Sequence, residues 1–424
     1  MAKLTPRRIR FALDKRRARL KAKIAMRSSD FDGLPKPQQI SYEPWRTPLE
    51  ERLADLRRGK FRVAYLADNP DPAVFRYRGY TMAQAINSAA VDASAACFWL
   101  WDSAAFEDAI SDVDALVLCR SQYSSRLAGL VQSARAAGAK IFFDVDDLIF
   151  DRLAVPEVVR DVDALADAAH LENDVWNFWY SYTGRIRAAM ELADEVIVTN
   201  EFLAGQVSER TGMPVSVIPN FMSLEQQQYS RELVTARERL DGPVGDAFHI
   251  GYFSGSPTHR KDLAIAIPGL CEVMAARPNV RLRLVGYLDV SDTPLQQFAS
   301  RIDRLPVVDY LSLQRAIAAT EINIAPLQDT VFTNCKSELK YFDAGAVSVP
   351  TVASPTFTMA RAIRDGENGR LVTADQWGAA LLNLVDDYSG VGRAWGKAAH
   401  EEVMQTYVAT QQVGTIEKVL CRSR

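Results

Sequence analysis

The chain reads as an α/β protein of two doubly wound parallel-sheet domains facing each other across a cleft. Three observations predict this. Short β-rich runs alternate with helix-length segments, as parallel βαβ units require. Several runs are almost continuously apolar, as in Val196-Ile-Val-Thr199, which suits strands covered on both faces. The alternation then stops in a polar stretch and restarts, so two sheets fit better than one large sheet. A length of 424 residues allows for this, at ~100–200 residues per domain.

The first series of strands is predicted at Phe61–Asp68, Cys97–Asp102, Ala115–Arg120, Lys140–Asp147, Glu195–Asn200 and Val215–Asn220. Helical segments such as Tyr80–Ala90 and Gly184–Leu192 lie between them. The break is residues 221–246, with Gln226-Gln227-Gln228 and Gly242-Pro243. A second series follows at His249–Gly255, Arg281–Gly286, Ile322–Leu327, Pro350–Ser354 and Gly369–Val372. The expected organisation is therefore a basic helix and proline-containing linker (1–48), a first domain (49–220), an interdomain segment (221–246), a second domain (247–390) and terminal helices (391–424).

Composition narrows the class. With 48% hydrophobic and 24% charged residues, the chain suits an ordinary globular protein. It has no run of ~18 apolar residues for a membrane span, and residues 1–27 have no apolar core of a signal peptide. Five scattered cysteines (Cys97, Cys119, Cys271, Cys335, Cys421) form no CxxC pair, which points away from a disulfide framework or a zinc site and towards a reducing cytoplasm. The net charge of −3 hides an asymmetry: residues 1–27 carry eleven Lys or Arg and one acid, Asp14. Thr5-Pro6 starts a helix on which Ile9, Leu13, Leu20 and Ile24 share a face. Such a helix either lies peripherally on an anionic membrane surface or is simply solvated.

In open parallel sheets, ligands bind beyond the carboxyl ends of the strands. Two such places stand out in the second domain. One is His249 to Asp262, a strand entering a small-residue turn, Gly255-Ser-Pro-Thr-His259, then Arg260 and Lys261. Its amides and cations suit a diphosphate; the alternative is an ordinary βα turn with solvated charges. The other is Thr333 to Pro350, where Asn334 can cap a helix presenting Lys336 and Ser337 to an anion. Asp343, further along, either accepts hydrogen bonds from a ribose diol or is a plain helix carboxylate.

These pieces, in this order, resemble the nucleotide-sugar-binding half of the GT-B glycosyltransferases, most closely glycosyltransferase family 4 of the polysaccharide-assembly type. The residues that carry the resemblance are Ile218-Pro-Asn220, Gly255 to Lys261, Ile324-Ala-Pro-Leu327, Lys336 to Ser354 and Asp365-Gly-Glu-Asn-Gly-Arg-Leu-Val372. It is specific over about 215–375, diffuse over 60–215, and does not reach 1–48. It implies two Rossmann-like domains and transfer of a sugar from a nucleoside diphosphate donor to a glycan or glycolipid, with retention of configuration and no cofactor. Lys261 stands at the family's lysine position, six residues after Gly255, and Arg260 beside it can stand in for a missing arginine. Lys261, Arg260 and Lys336 are thereby the expected leaving-group cations. Gly255, Ser256, His259, Ser337, Glu338 and Asp343 are the expected donor contacts. Cys335 occupies the first glutamate position of the family's Glu-x7-Glu motif and Asp343 the second. That cysteine departs from the pattern, and Glu338 does not automatically replace the lost acid.

The first domain is expected to bind acceptor through Arg78, Gly79, Asp146 and Asp147. Asp144-Val-Asp146 superficially matches a metal-binding DxD. No metal is expected, because this two-domain fold normally works without one and no larger hard-ligand cluster is visible. Trp176-Asn-Phe-Trp-Tyr180 would stack on sugars, cover a lipid, or form an aromatic core seam, which is the preferred reading. No GxGxxG follows a first strand, so a dinucleotide cofactor is not indicated, and no basic aromatic-rich domain points to nucleic acid. Two rivals remain: a nucleotide-sugar epimerase, and a non-catalytic sugar-binding subunit of an assembly complex, which Cys335 keeps open.

Overall fold

Alternation of apolar strands with amphipathic helices resolves into two six-stranded parallel sheets. The structure is a computed structural model that describes residues 31, 33–38, 43–68, 70, 73–89, 92–102, 104–165, 169–240, 247–254 and 259–421. The first sheet contains β1 (Phe61–Ala67), β2 (Ala93–Trp99), β3 (Ala115–Cys119), β4 (Lys140–Asp144), β5 (Glu195–Val198) and β6 (Val215–Val217), in the order β2-β1-β3-β4-β5-β6. The second contains β7 (Phe248–Ser254), β8 (Val280–Gly286), β9 (Ile302–Leu305), β10 (Ile322–Ala325), β11 (Thr351–Ala353) and β12 (Arg370–Leu371), in the order β12-β11-β10-β7-β8-β9. The chain reverses its direction of travel between β1 and β3, and again between β7 and β10. Crevices open at those switch points, beyond the strand ends.

The expected strands are all present; several end earlier than expected, because polar residues such as Asp68, Asp146 and Asn200 belong to the loops that follow, and the strand expected from Cys97 begins four residues earlier, at Ala93. One strand escaped the reading. In Ile302-Asp-Arg-Leu305 the two charged residues interrupt the apolar run, which an edge position tolerates.

Three segments differ from expectation. In the expected linker, Phe31 and Trp45 are packed: Phe31 lies under the guanidinium groups of Arg283 and Arg315, and Trp45 packs edge-on against Phe75 at 5.5 Å. Inside the polar break, Leu224–Glu238 is a helix that buries Tyr229 and Leu233 against Ala344 and Val347 of the second domain. Its Ser223 cap accepts from the amide of Gln226. The last helix, Ala409–Leu420, returns to pack on Thr81–Ser88 of the first domain. A shared apolar cluster containing Tyr77, Phe342, Tyr407 and Ile416 joins the two halves, with the rings of Phe342 and Tyr407 stacked at 4.9 Å.

None of the described helices is long and apolar enough to cross a membrane. The basic segment 1–27 lies outside the described residues.

Candidate functional site

The crevice of the second domain forms where β7 and β10 end. Gly286, at the end of β8, keeps its neighbour close: at φ +123° it has no room for a side chain, because a Cβ would sit 1.7 Å from the Ser254 carbonyl. Gly255 and Ser256, which follow Ser254, lie outside the described residues. Beyond them His259 and Asp262 form a pair, Nδ1 to Oδ2 at 2.8 Å. The other Asp262 oxygen accepts from the Gln328 amide, just past β10, at 3.2 Å. Burial lowers the His259 pKa; burial also works to raise the Asp262 pKa, but His259 and the Gln328 hydrogen bonds together bring it below the ordinary value. The pair therefore ties the β7 turn to the β10 loop.

Lys336 and Ser337 lie in the loop between two short helices, Val331–Asn334 and Leu339–Gly345. The expected capping by Asn334 is not found. Thr330 caps the first helix, and Asn334 is its last residue, holding Asp329 and the Phe357 amide with its side chain. Glu338 precedes the second helix without a side-chain cap bond. Its carboxylate accepts from the Tyr407 hydroxyl at 2.8 Å, and burial raises its pKa. It is thus drawn to the terminal helices instead of the cations.

Lys340, which the sequence reading passed over, donates to the Phe253 carbonyl at 2.6 Å at the end of β7. Burial pulls its pKa down to about 8. Its place one turn after Lys336 on the motif was the available signal.

The facing wall comes from the first domain. Asp146 and Asp147, in the loop after β4, meet Arg120, in the loop after β3, at 3.2 and 3.5 Å. Arg120 has the left-handed φ of +46°, uncommon for a side chain of this size. Its Nε also donates to the Tyr182 hydroxyl at 2.9 Å. Asp147 accepts from Lys336 across the cleft at 3.2 Å. Burial pushes the Asp146 pKa up to about 6. Asp147 is buried too, but Lys336 and then Arg120 hold its pKa below the ordinary value. Arg120 was missed because it read as the last residue of an apolar strand, although its place at a switch-point strand end marked it.

Arg78 and Gly79 are corrected. Both belong to a buried π-helical turn, Arg76–Tyr80. The Arg78 guanidinium grips Asp144 through two 2.8 Å bonds and donates to the Ile218 carbonyl and Asn220. At 1% exposure it has no face left for an acceptor. A Cβ on Gly79 would meet the Phe75 ring at 2.7 Å, so this glycine serves packing. The DxD pair is likewise divided, since Asp144 answers to Arg78 and Asp146 to Arg120. Among the described residues no group of three or more His, Cys, Asp or Glu could hold a metal ion.

Lys261 spans the cleft, donating to the Arg160 carbonyl at 2.7 Å and pairing with Asp163 at 3.3 Å. Arg260 lines a small hollow beside it with Asp289 and Thr293. Asp343 is buried, and its carboxylate accepts from Gln226 at 2.7 Å and Tyr77 at 3.4 Å. Burial raises its pKa. Ser337 accepts from Asn220, which also holds Arg78. Cys335 is fully buried against first-domain residues, and its carbonyl accepts from Asn200 at 2.8 Å. The aromatic cluster is a core seam only at Trp179, since Phe178 and Tyr180 are 58% and 45% exposed.

Lys336, Ser337, Lys340, His259 and Lys261 therefore gather on one wall, opposite Arg120, Asp146 and Asp147. The arrangement suits a ligand with an anionic end in the second domain and a hydroxyl-rich end towards the first.

Residues 247–387 match a family model described as glycosyl transferases group 1. No curated protein matches the chain. Among solved structures, HepE of Anabaena in complex with UDP and glucose is similar with a TM-score of 0.54 and 14% identity, over 85% of this chain and 99% of that one. Sucrose-phosphate synthase of Thermosynechococcus elongatus gives 0.54 and 16%, over 85% and 99%. A glycosyltransferase of Rickettsia africae gives 0.54 and 11%, over 86% and 100%. At these identities the likeness is one of fold. Residues 247–387 are a glycosyl transferases group 1 domain, and the chain that carries it is a glycosyltransferase of the two-domain GT-B fold.

Proposed function

We propose that the protein transfers a sugar, with retention of configuration, from a nucleoside diphosphate sugar to a glycan or glycolipid acceptor. The observation that carries this reading is the convergence of Lys336, Ser337, Lys340 and His259 on the switch-point crevice of the group 1 domain. Breaking the glycosidic bond to the donor puts negative charge on the departing diphosphate while the sugar becomes oxocarbenium-like. Cations preorganised in a partly buried site stabilise that charge. Lys336 and Lys261 already hold carboxylates of the opposite domain, so the site has anion positions that a diphosphate would take over. Asp146 and Asp147 would receive acceptor hydroxyls. Closure of the two domains would exclude water and limit hydrolysis.

The similar Anabaena protein was solved with UDP and glucose, which supports screening uridine nucleotides first. Calorimetry with nucleoside diphosphates, then release of nucleoside diphosphate from nucleotide sugars with and without added saccharides, tests the reading. Proton spectra of the product read the anomeric configuration. No nucleotide affinity and no turnover with any donor would end it.

A second reading has a specific observation behind it. Cys335, where the family has an acid, is fully buried with its thiol pushed up to about 12 by burial, and it supplies no charge. A non-catalytic sugar-binding subunit would bind nucleotide sugar and never release diphosphate.

Residues 1–27 would attach the protein peripherally to an anionic cytoplasmic leaflet, supported by eleven basic residues against one acid. At about 1 kcal/mol per basic residue near the surface, binding should be firm at low salt. Flotation with phosphatidylglycerol vesicles should carry up the full chain but not a chain lacking 1–27, and added salt should abolish it. Equal flotation of both would remove the segment from that role.

A further inference from the structure

The helix Glu172–Met190 is longer than the core that holds it. Its buried residues, Thr183, Ile186, Ala189 and Met190, all lie in the second half. No residue from 172 to 182 is fully buried; Trp179 and Tyr182 lean on the core with one side, while Phe178 and Tyr180 face outward. That half precedes β5 and rises at the carboxyl ends of the strands, the side on which the cleft opens. Along it the apolar stripe continues as aromatic rings. Phe178 and Tyr182 stack at 5.7 Å with planes 6° apart, and Trp179 stands edge-on to both. On the next face Trp176 and Tyr180 lie 6.2 Å apart. The lower end of this ladder is fastened to the site, because the Tyr182 hydroxyl accepts from Arg120, which holds Asp146 and Asp147.

We infer that this ladder is a platform for an oligosaccharide acceptor, carrying sugar rings that lie beyond the one that reacts. The assignment rests on the proposed transfer to a glycan and names where its outer residues bind. Its continuity with the acid-lined wall gives the direction, and its chemistry selects the occupant. Exposed ring faces receive the axial C–H face of a pyranose. Glu172, Asp174, Asn177 and Ser181 on the same half-helix offer hydrogen-bonding partners for its hydroxyls. A lipid tail needs unbroken apolar surface, and an anionic membrane is repelled by those two carboxylates.

The test uses the full chain and the double variant Phe178→Ala/Tyr180→Ala. Both side chains are exposed, so a thermal melt should coincide with wild type. Maltopentaose, cellopentaose and N-acetylchitopentaose are titrated while tryptophan emission, which includes Trp176 and Trp179, is followed. At least one should bind the wild type, and the double variant should bind it about ten- to hundredfold more weakly. UDP affinity by calorimetry should be the same in both. Equal saccharide affinity in the variant, or no binding of any pentasaccharide to the wild type, overturns the platform. Loss of phosphatidylglycerol-vesicle flotation in the variant with saccharide affinity intact makes the ladder a lipid contact and overturns it too. Failure of the transfer reading is seen separately, as absent UDP binding with saccharide binding retained.

Discussion

The two sides of the cleft both end their strands in charged residues, but they use them differently. In the first domain Arg78 and Asp144 are paired within the domain, at 1% and 3% side-chain exposure, behind a turn that leaves no space for a ligand. In the second, Lys336 is 21% exposed, and its carboxylate partner, Asp147, comes from the opposite domain. Lys261 behaves the same way towards Asp163. A fully buried charge whose partner sits on its own domain stays paired however the cleft moves, so it is part of the scaffold. A charge whose partner lies across the cleft can be released to an anion. Residue type and strand-end position do not separate the two cases; the origin of the partner does.

Four experiments press on that distinction. Arg78→Ala should have the largest effect. It strands Asp144 as a buried unpaired charge, which costs about 3–5 kcal/mol, and the loss should appear in the denaturant midpoint. An unchanged midpoint would make Arg78 as dispensable as a surface residue and dissolve the contrast.

Lys336→Ala should leave the midpoint within about 1 kcal/mol, because a partly exposed ion pair contributes little. Its kcat/KM for donor should fall about ten- to hundredfold if a charge-assisted phosphate contact is lost. A drop in stability with unaltered kinetics would move Lys336 to the scaffold side.

Lys340 sharpens the second side. With its pKa pulled down to about 8 by burial, it is a cation below that pH and neutral above it. Nucleoside diphosphate affinity should therefore fall as pH rises through 8, by about tenfold or less. Stability should move the other way as far as this group decides it. The folded state holds this proton less tightly than the unfolded chain does, so the penalty of the buried charge is relieved between about 8 and the ordinary 10.5. Lys340→Arg, charged throughout, should flatten the affinity profile. Identical profiles for both proteins would take Lys340 out of the binding wall.

The smallest expected effect is none. Asp144 and Asp146 each answer to a separate guanidinium, so turnover should be insensitive to EDTA. Activity lost on chelation and restored by magnesium or manganese would make the first-domain acids ligands of an ion and reverse their role in the comparison.

The sequence carried the architecture and the address of the site. Strand alternation and the polar break at 221–246 marked two parallel sheets, since period and length of apolar runs reflect local geometry and burial on two faces. The order of Gly255 to Lys261, Lys336 to Ser354 and Asp365 to Val372 pointed to the nucleotide-sugar-binding half of a GT-B glycosyltransferase, where the group 1 match falls, and Lys336 and Asp147 do face each other across the cleft. The edge strand β9 and the helix Leu224–Glu238 were not legible, because charged and glutamine-rich stretches conceal burial that depends on what packs above them.

Tertiary structure alone decided the partners. It bound Arg78 to Asp144 across 66 residues, Lys336 to Asp147 across 189, and Tyr77 to Asp343 across 266. It also brought Arg120 and Lys340 into the site and left Phe178 and Tyr180 outside the core. Local propensity sets which backbone a segment adopts. Whether a charge is scaffold or ligand depends on which group the fold brings within about 3 Å of it and how much water is removed from the pair, and both are set by residues far away in the chain.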